Sequence, residues 1–156
     1  MKHYKILTVC LGNICRSPAA QGLLEFAGQA QKLDLQVDSA GTAAYHIGKQ
    51  PDLRSIKTLS GHGIDIRGQA ARQVRVEDFN YYDWILAMDK SNLKDLKAIQ
   101  PKGSSAKLVL FGQFDASLNW GEIADPYYGE DEGFESMYDH LKQISDAFIQ
   151  HLLHSD

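Results

Sequence analysis

The sequence predicts an α/β fold, a single three-layer domain whose four-stranded parallel sheet is flanked by helices on both faces. Three observations lead to it. Four short segments rich in apolar and β-branched residues alternate along the chain with segments of helical character. Strands separated by helices pair in parallel, and right-handed crossovers then cover both faces of the sheet. The 156 residues suit one ordinary domain with a sizeable core, and no repeat, low-complexity tract or linker divides residues 1–156.

Each element has its own signal. Ile6, Leu7, Thr8, Val9 and Cys10 read as a buried first strand. Ser17 and Pro18 mark a helix start, with serine as N-cap and proline at the first helical position. Leu23, Leu24, Phe26, Ala27 and Ala30 supply its apolar face. A second strand over residues 35–38 runs into Ser39, Ala40, Gly41 and Thr42. Gly48 and Pro51 punctuate a loop before a helix over residues 52–61. Residues 84–88 form the third strand, and Asp89 or Ser91 caps a helix that reaches Ile99. Residues 107–111 form the fourth strand. Phe134, Met137, Leu141, Ile144, Phe148 and Leu152 recur at spacings of three and four, the stripe of a long amphipathic C-terminal helix.

Composition narrows the function. Hydrophobic residues make up 44% and charged residues 23%, as in an ordinary folded protein. Net charge is −4 and the 16 Lys and Arg are scattered, which argues against nucleic acid as a partner, since such proteins carry a basic stripe. The apolar run after the basic start is stopped by Gly12, Asn13 and Arg16, too early for a signal peptide. No stretch approaches the ~20 apolar residues of a membrane span, so a cytoplasmic protein without a membrane partner is expected. Cys10 and Cys15 are too few and too close for a secreted disulfide framework. They also lack the further Cys or His ligands of a structural zinc site, and the six dispersed histidines read as surface residues. Neither metal nor cofactor is expected.

Chemistry concentrates after the first strand. In open parallel sheets, ligands bind beyond the carboxyl ends of strands, where the winding reverses. The segment there is Cys10, Leu11, Gly12, Asn13, Ile14, Cys15, Arg16 and Ser17, a cysteine and an arginine with five residues between them, followed by a serine. A tight loop entering a helix leaves backbone N–H groups free, and the helix dipole favours an anion. Gly12 and Asn13 tolerate the left-handed backbone that turns such N–H groups inward. Arg16 adds a two-pronged donor matched to two phosphate oxygens. The same positive environment favours a thiolate at Cys10, and the Ser17 hydroxyl can donate to that sulfur. Taken alone, Cys10 also fits a small buried strand residue, and Cys15 one that packs under the loop.

A second candidate lies late in the chain. Asp125 precedes Pro126, which holds it in extended backbone and favours a turn. A carboxyl above the phosphate site would protonate a departing phenolate, and Tyr127 and Tyr128 would wall a flat ring. By itself this segment fits an ordinary surface turn, with its aromatics packed on the domain, better than a catalytic loop.

Residues 9–18 and Asp125-Pro126-Tyr127-Tyr128-Gly129, with the stretches at residues 38–42, 71–73 and 87–92, resemble the low-molecular-weight protein-tyrosine-phosphatase family over nearly the whole chain. The resemblance implies a two-step, metal-independent hydrolysis of phosphotyrosine in proteins. Cys10 would be the nucleophile. Arg16 and the amides of residues 11–17 would hold the phosphoryl oxygens, and Asp125 would act as acid and then base. It also implies that Asn13 holds the loop in shape, that Tyr45 joins Tyr127 and Tyr128 as pocket walls, and that Cys15 protects Cys10 through a reversible disulfide. Gln69 stands where many members carry a histidine supporting Asn13 and Ser17. Tyrosine-phosphorylated proteins are the implied partners, and exposed tyrosines are compatible with a monomer or weak self-association.

Two rival readings share the loop. Arsenate reductases of this fold pass oxidation to cysteines late in the chain, and none follows Cys15. A non-catalytic phosphoprotein-binding module would be expected to have lost Cys10, Arg16 or Asp125, and all three are present.

Overall fold

The computed structural model describes residues 3–115, 122–127, 129 and 131–154, with Asp131 described by its backbone alone. Along the chain run β1 (His3–Cys10), α1 (Arg16–Ala30), β2 (Asp34–Gly41), α2 (Leu53–Gly61), α3 (Asp78–Tyr81), β3 (Trp84–Ala87), α4 (Lys90–Ile99), β4 (Lys107–Leu110), a 3-10 turn (Phe111–Phe114) and α5 (Asp131–Leu153). The strands form one parallel sheet in the order β2-β1-β3-β4. The chain winds outward from β1 to β2 and then returns to the other side of β1 with β3. The carboxyl end of β1 is therefore the switch point of the sheet.

Alternation along the strands divides the core into two layers. Ile6, Trp84 and Leu86 point into a cluster with Leu23 and Leu24 of α1, Leu59 of α2, and Phe134, Leu141, Ile144 and Phe148 of α5. Leu7, Val9, Ile85 and Ala87 point the other way, onto Phe79 of α3 and Leu96 of α4. The three-layer α/β domain is thus as expected, and the α5 stripe is buried from Phe134 to Leu152. Among the described residues no helix is long and apolar enough to cross a membrane.

Local differences have physical causes. Phe26 is 51% exposed and not part of the buried face of α1, which relies instead on Ala19, Ala20 and Gly28 beside Leu23 and Leu24. A Cβ on Gly28 would lie 2.4 Å from Leu35 Cδ1, so its absence lets α1 lie close against β2. Helix α1 begins at Arg16 with Cys15 as its N-cap and no side-chain cap; Ser17 is inside the helix because its hydroxyl serves the loop. Of the two candidate caps for α4, Asp89 is used, and it forms a capping box with Asn92. Met88 and Phe111 lie just past the ends of β3 and β4. Helix α3 has four residues, too few for any periodicity to announce it.

Candidate active site

The loop from Cys10 to Ser17 sits at the switch point with its carbonyls turned into the protein. Cys10 O accepts from Thr42 N at 2.9 Å, Leu11 O from Ala43 N at 3.0 Å, Ile14 O from Asp52 N at 2.8 Å, and Cys15 O from the Ser55 hydroxyl at 3.2 Å. Among the described residues, no partner takes the N–H groups of residues 11–15. A loop with most of its acceptors engaged and its donors open is suited to cradle an anion.

Asn13 holds that shape. It has φ +59°, the left-handed conformation that asparagine tolerates best among residues with a Cβ. Its amide donates to Ser17 Oγ at 2.8 Å and Ser39 Oγ at 2.9 Å, and its Oδ1 accepts from Arg72 N at 3.0 Å. Gly12 does not share the left-handed backbone. A Cβ there would instead meet His46 Cδ2 at 2.9 Å, so Gly12 leaves room for a neighbouring ring. Gly41, at the end of β2, leaves room for the loop itself, because a Cβ would lie 2.7 Å from Leu11 O and 3.2 Å from Asn13 N. Gln69 does not reach Asn13 or Ser17; its amide donates to Pro18 O at 3.1 Å, and Ser39 and Arg72 give the support expected of it.

Cys10 is buried with its Sγ 3.0 Å from Ser17 Oγ. Because that oxygen already receives the Asn13 amide, the serine proton can point at the sulfur at 3.0 Å, with the Ala40 carbonyl at 3.4 Å as the longer alternative. Arg16 is 2% exposed, and its Nη1 donates to Asp89 Oδ2 at 2.6 Å and Ile123 O at 2.9 Å. Its Nη2 lies 3.5 Å from Asp125 Oδ2, and its buried Nε has no partner among the described residues. Burial works against the guanidinium charge, but Cys10, Asp89 and Asp125 outweigh it and push its pKa up. The arginine therefore stays charged with one edge anchored and donors to spare on the other.

A cleft of about 80 Å³ opens above this loop, lined by Cys10, Leu11, Gly12, Ile14, Cys15, Tyr45, His46, Asp125 and Tyr127. Asp125 is 39% exposed, and its Oδ1 accepts from Tyr127 N at 3.1 Å, closing the turn around Pro126. Tyr45, 70% exposed, and Tyr127 both border the cleft, whereas Tyr128 lies outside the described residues. Cys15 is buried at its floor, and burial, then Asp52, Cys10 and Asp125, push its thiol well above the usual cysteine range.

Sequence reasoning missed several participants. His46 lies beside the cleft, its ring centroid 6.4 Å from that of Tyr45 and 6.1 Å from that of Tyr127, although a scattered histidine gives no sign of it. Asp89 is legible as a cap and not as the Arg16 partner, and the Ile123 carbonyl carries no side-chain signal at all. Among the described residues, no group of three or more His, Cys, Asp or Glu is placed to hold a metal ion.

A buried cysteine in a loop of open amides, with a charged arginine beside it, could hold a phosphoryl or similar tetrahedral anion. Known proteins similar to this chain show its family. Residues 5–155 match the family profile described as low molecular weight phosphotyrosine protein phosphatase. The chain is 40% identical over 153 residues to the low molecular weight phosphotyrosine protein phosphatase of Schizosaccharomyces pombe, covering 96% of this chain and 97% of that one. The crystal structure of a protein tyrosine phosphatase from Entamoeba histolytica, with Hepes in its active site, aligns with TM-score 0.91 at 36% identity over 96% of this chain and 97% of the other. A Drosophila arginine phosphatase structure aligns with TM-score 0.91 at 32% identity over 100% of both chains. The chain belongs to the low molecular weight phosphotyrosine protein phosphatase family and is a hydrolase.

Proposed function

We propose that this enzyme acts in the cytoplasm and hydrolyses phosphotyrosine in proteins through a cysteinyl-phosphate, with Asp125 as acid and then base. The observation that carries the reading is the loop around Cys10 Sγ, with the carbonyls of residues 10, 11, 14 and 15 engaged and, among the described residues, its amides open and the Arg16 Nε without a partner. Such donors stand ready for the equatorial oxygens of a phosphoryl group in transfer, where charge stabilisation counts most.

In the first step the Cys10 thiolate attacks phosphorus in line, forming the S–P bond as the P–O bond to tyrosine breaks. Asp125 gives its proton to the departing phenolate oxygen. In the second step water attacks phosphorus from the vacated side and Asp125 takes back a proton. The S–P bond breaks, and the electron pair returns to sulfur, where the Ser17 proton steadies it. Inorganic phosphate leaves, and the balance is one water consumed per ester. Tyr45, His46 and Tyr127 border the cleft with rings, which favours a flat aryl group over the linear stem of phosphoarginine.

Matched phosphotyrosyl and phosphoarginyl peptides, assayed in EDTA, test the substrate. A kcat/KM at least tenfold higher for the phosphotyrosyl peptide is expected, and the reverse preference would overturn the assignment. Asp125→Ala tests the acid. It should lower kcat/KM about 10²–10⁴-fold for phenyl phosphate, whose leaving group needs a proton. The loss should be much smaller for p-nitrophenyl phosphate, which leaves readily without one. Equal losses would remove Asp125 from the role.

Cys15 fits a protective partner for the nucleophile. Its raised pKa keeps it a thiol, so it does not compete with Cys10 for phosphorus. Peroxide would convert the Cys10 thiolate to a sulfenic acid, and the Cys15 sulfur would displace water to give a disulfide. Mass spectrometry after mild peroxide should then find a Cys10–Cys15 disulfide that dithiothreitol reverses. Recovery of Cys10 only as sulfinic or sulfonic acid would exclude this protection.

A further inference from the structure

Asp125, Pro126 and Tyr127 are in neither strand nor helix, so the placing of the Asp125 carboxyl depends on what holds the chain around them. Two holds come from one side chain outside the segment. Arg54, in the first turn of α2, donates from Nη2 to Tyr127 O at 2.8 Å and from Nη1 to Gly129 O at 3.0 Å. Its guanidinium also stands 5.8 Å from the Tyr127 ring centroid and 4.6 Å from that of Phe134, which opens the buried stripe of α5.

The arginine is itself held. Its Nε donates to Asp52 Oδ1 at 3.1 Å and its Nη2 to Asp52 Oδ2 at 3.1 Å, a forked pair. Asp52 caps α2 through the Arg54 amide at 2.9 Å, and its own backbone N–H donates to Ile14 O at 2.8 Å. Ile14 belongs to the loop that cradles the anion. An unbroken path thus runs from the cradle through Asp52 and the Arg54 guanidinium to the two carbonyls beyond Asp125.

We propose that Arg54 is a positioning residue for the general acid, setting the height of the Asp125 carboxyl above the phosphate loop through the carbonyls of Tyr127 and Gly129. The proposal rests on the acid role assigned to Asp125 above. A planar guanidinium is suited to the task because it can serve one carboxylate and two diverging carbonyls at once, which a lysine ammonium on a flexible stem cannot hold in register. Misplacement by about 1 Å can cost about 10²-fold in rate, so loss of the strap should weaken acid catalysis before it weakens binding.

The test is Arg54→Gln, with Arg54→Lys as a second variant that keeps the positive charge opposite Asp52. The readout is kcat/KM on phenyl phosphate and on p-nitrophenyl phosphate, because that ratio ends with the first step, in which the phenolate leaves. Arg54→Gln should lose about 10- to 100-fold on phenyl phosphate and less than about threefold on p-nitrophenyl phosphate. KM for the second substrate should hardly change. Combined with Asp125→Ala, it should cost little beyond Asp125→Ala alone, because the strap has nothing left to position. Equal losses on both substrates, or full additivity in the double variant, would make Arg54 a packing residue and overturn the proposal. If Arg54→Gln fails to fold, the same comparison is made with Arg54→Lys, whose selectivity between leaving groups decides the matter. Failure of the acid reading is separable, since Asp125→Ala alone would then show no selectivity between the leaving groups.

Discussion

Cys10→Ser is expected to lower hydrolysis of p-nitrophenyl phosphate in EDTA by about 10⁴-fold or more, leaving no measurable turnover. Sulfur and oxygen differ little in size, and the side chain is already next to a hydroxyl at 3.0 Å, so the fold should tolerate the change. What is lost is the nucleophile. A serine oxygen keeps its proton, and the hydrogen-bond partner of position 10 among the described residues is the Ser17 hydroxyl, which is no base. Asp125 cannot serve, because in the first step it must be the acid. Binding should survive, since the free amides and Arg16 are untouched, so a phosphotyrosyl peptide should still be retained by the variant. Residual activity above about one per cent of wild type would point to another nucleophile. Activity unchanged by the substitution would remove Cys10 from the mechanism.

Arg16→Lys is expected to cost about 10³-fold in kcat/KM, and Arg16→Ala more. On the proposed mechanism the guanidinium divides its donors between the fold and the ligand. Nη1 is committed to Asp89 and the Ile123 carbonyl, Nη2 lies 3.5 Å from Asp125 Oδ2, and Nε has no partner among the described residues. A lysine can keep the ion pair with Asp89 or meet a phosphoryl oxygen, but a single ammonium cannot do both with the same directions. Lysine should therefore recover much of the stability and little of the activity. Alanine should also lower unfolding free energy by about 1–3 kcal/mol, because Asp89 Oδ2 and a buried carbonyl lose their donor. Paired measurements of kcat/KM and thermal midpoint check both halves. A lysine variant within tenfold of wild type would show that charge alone, and not the fork, is what the phosphoryl group needs.

How much of this was legible depends on distance along the chain. The loop from Cys10 to Ser17 is contiguous, so Cys10, Gly12, Asn13, Arg16 and Ser17 announce one another, and the apolar segments and the α5 stripe follow from simple periodicity. The supports of the loop come from afar. Arg72 stands 59 residues beyond Asn13, Asp89 73 beyond Arg16, and the Ile123 carbonyl 107 beyond it. Such partners are brought together only by the sheet order, and a carbonyl or a capping aspartate looks the same in sequence whether or not an arginine reaches it. The misread N-cap at Ser17 has a related cause. Its residue type is right for a cap, but its hydroxyl is drawn to Cys10 and Asn13 instead of to its own helix. Phe26 misled for the opposite reason, because the close contact of α1 and β2 demands small residues where bulk was expected.

The two oxygens of the Asp89 carboxylate are divided between separate obligations. Oδ1 receives the Asn92 amide that starts α4, and Oδ2 receives the Arg16 guanidinium. Asparagine at this position would retain the cap and lose the charge; glutamate would retain the charge and carry it one carbon too far for the cap. Position 89 therefore keeps both bonds only as aspartate, so the start of α4 and the anchoring of Arg16 are tied to one side chain.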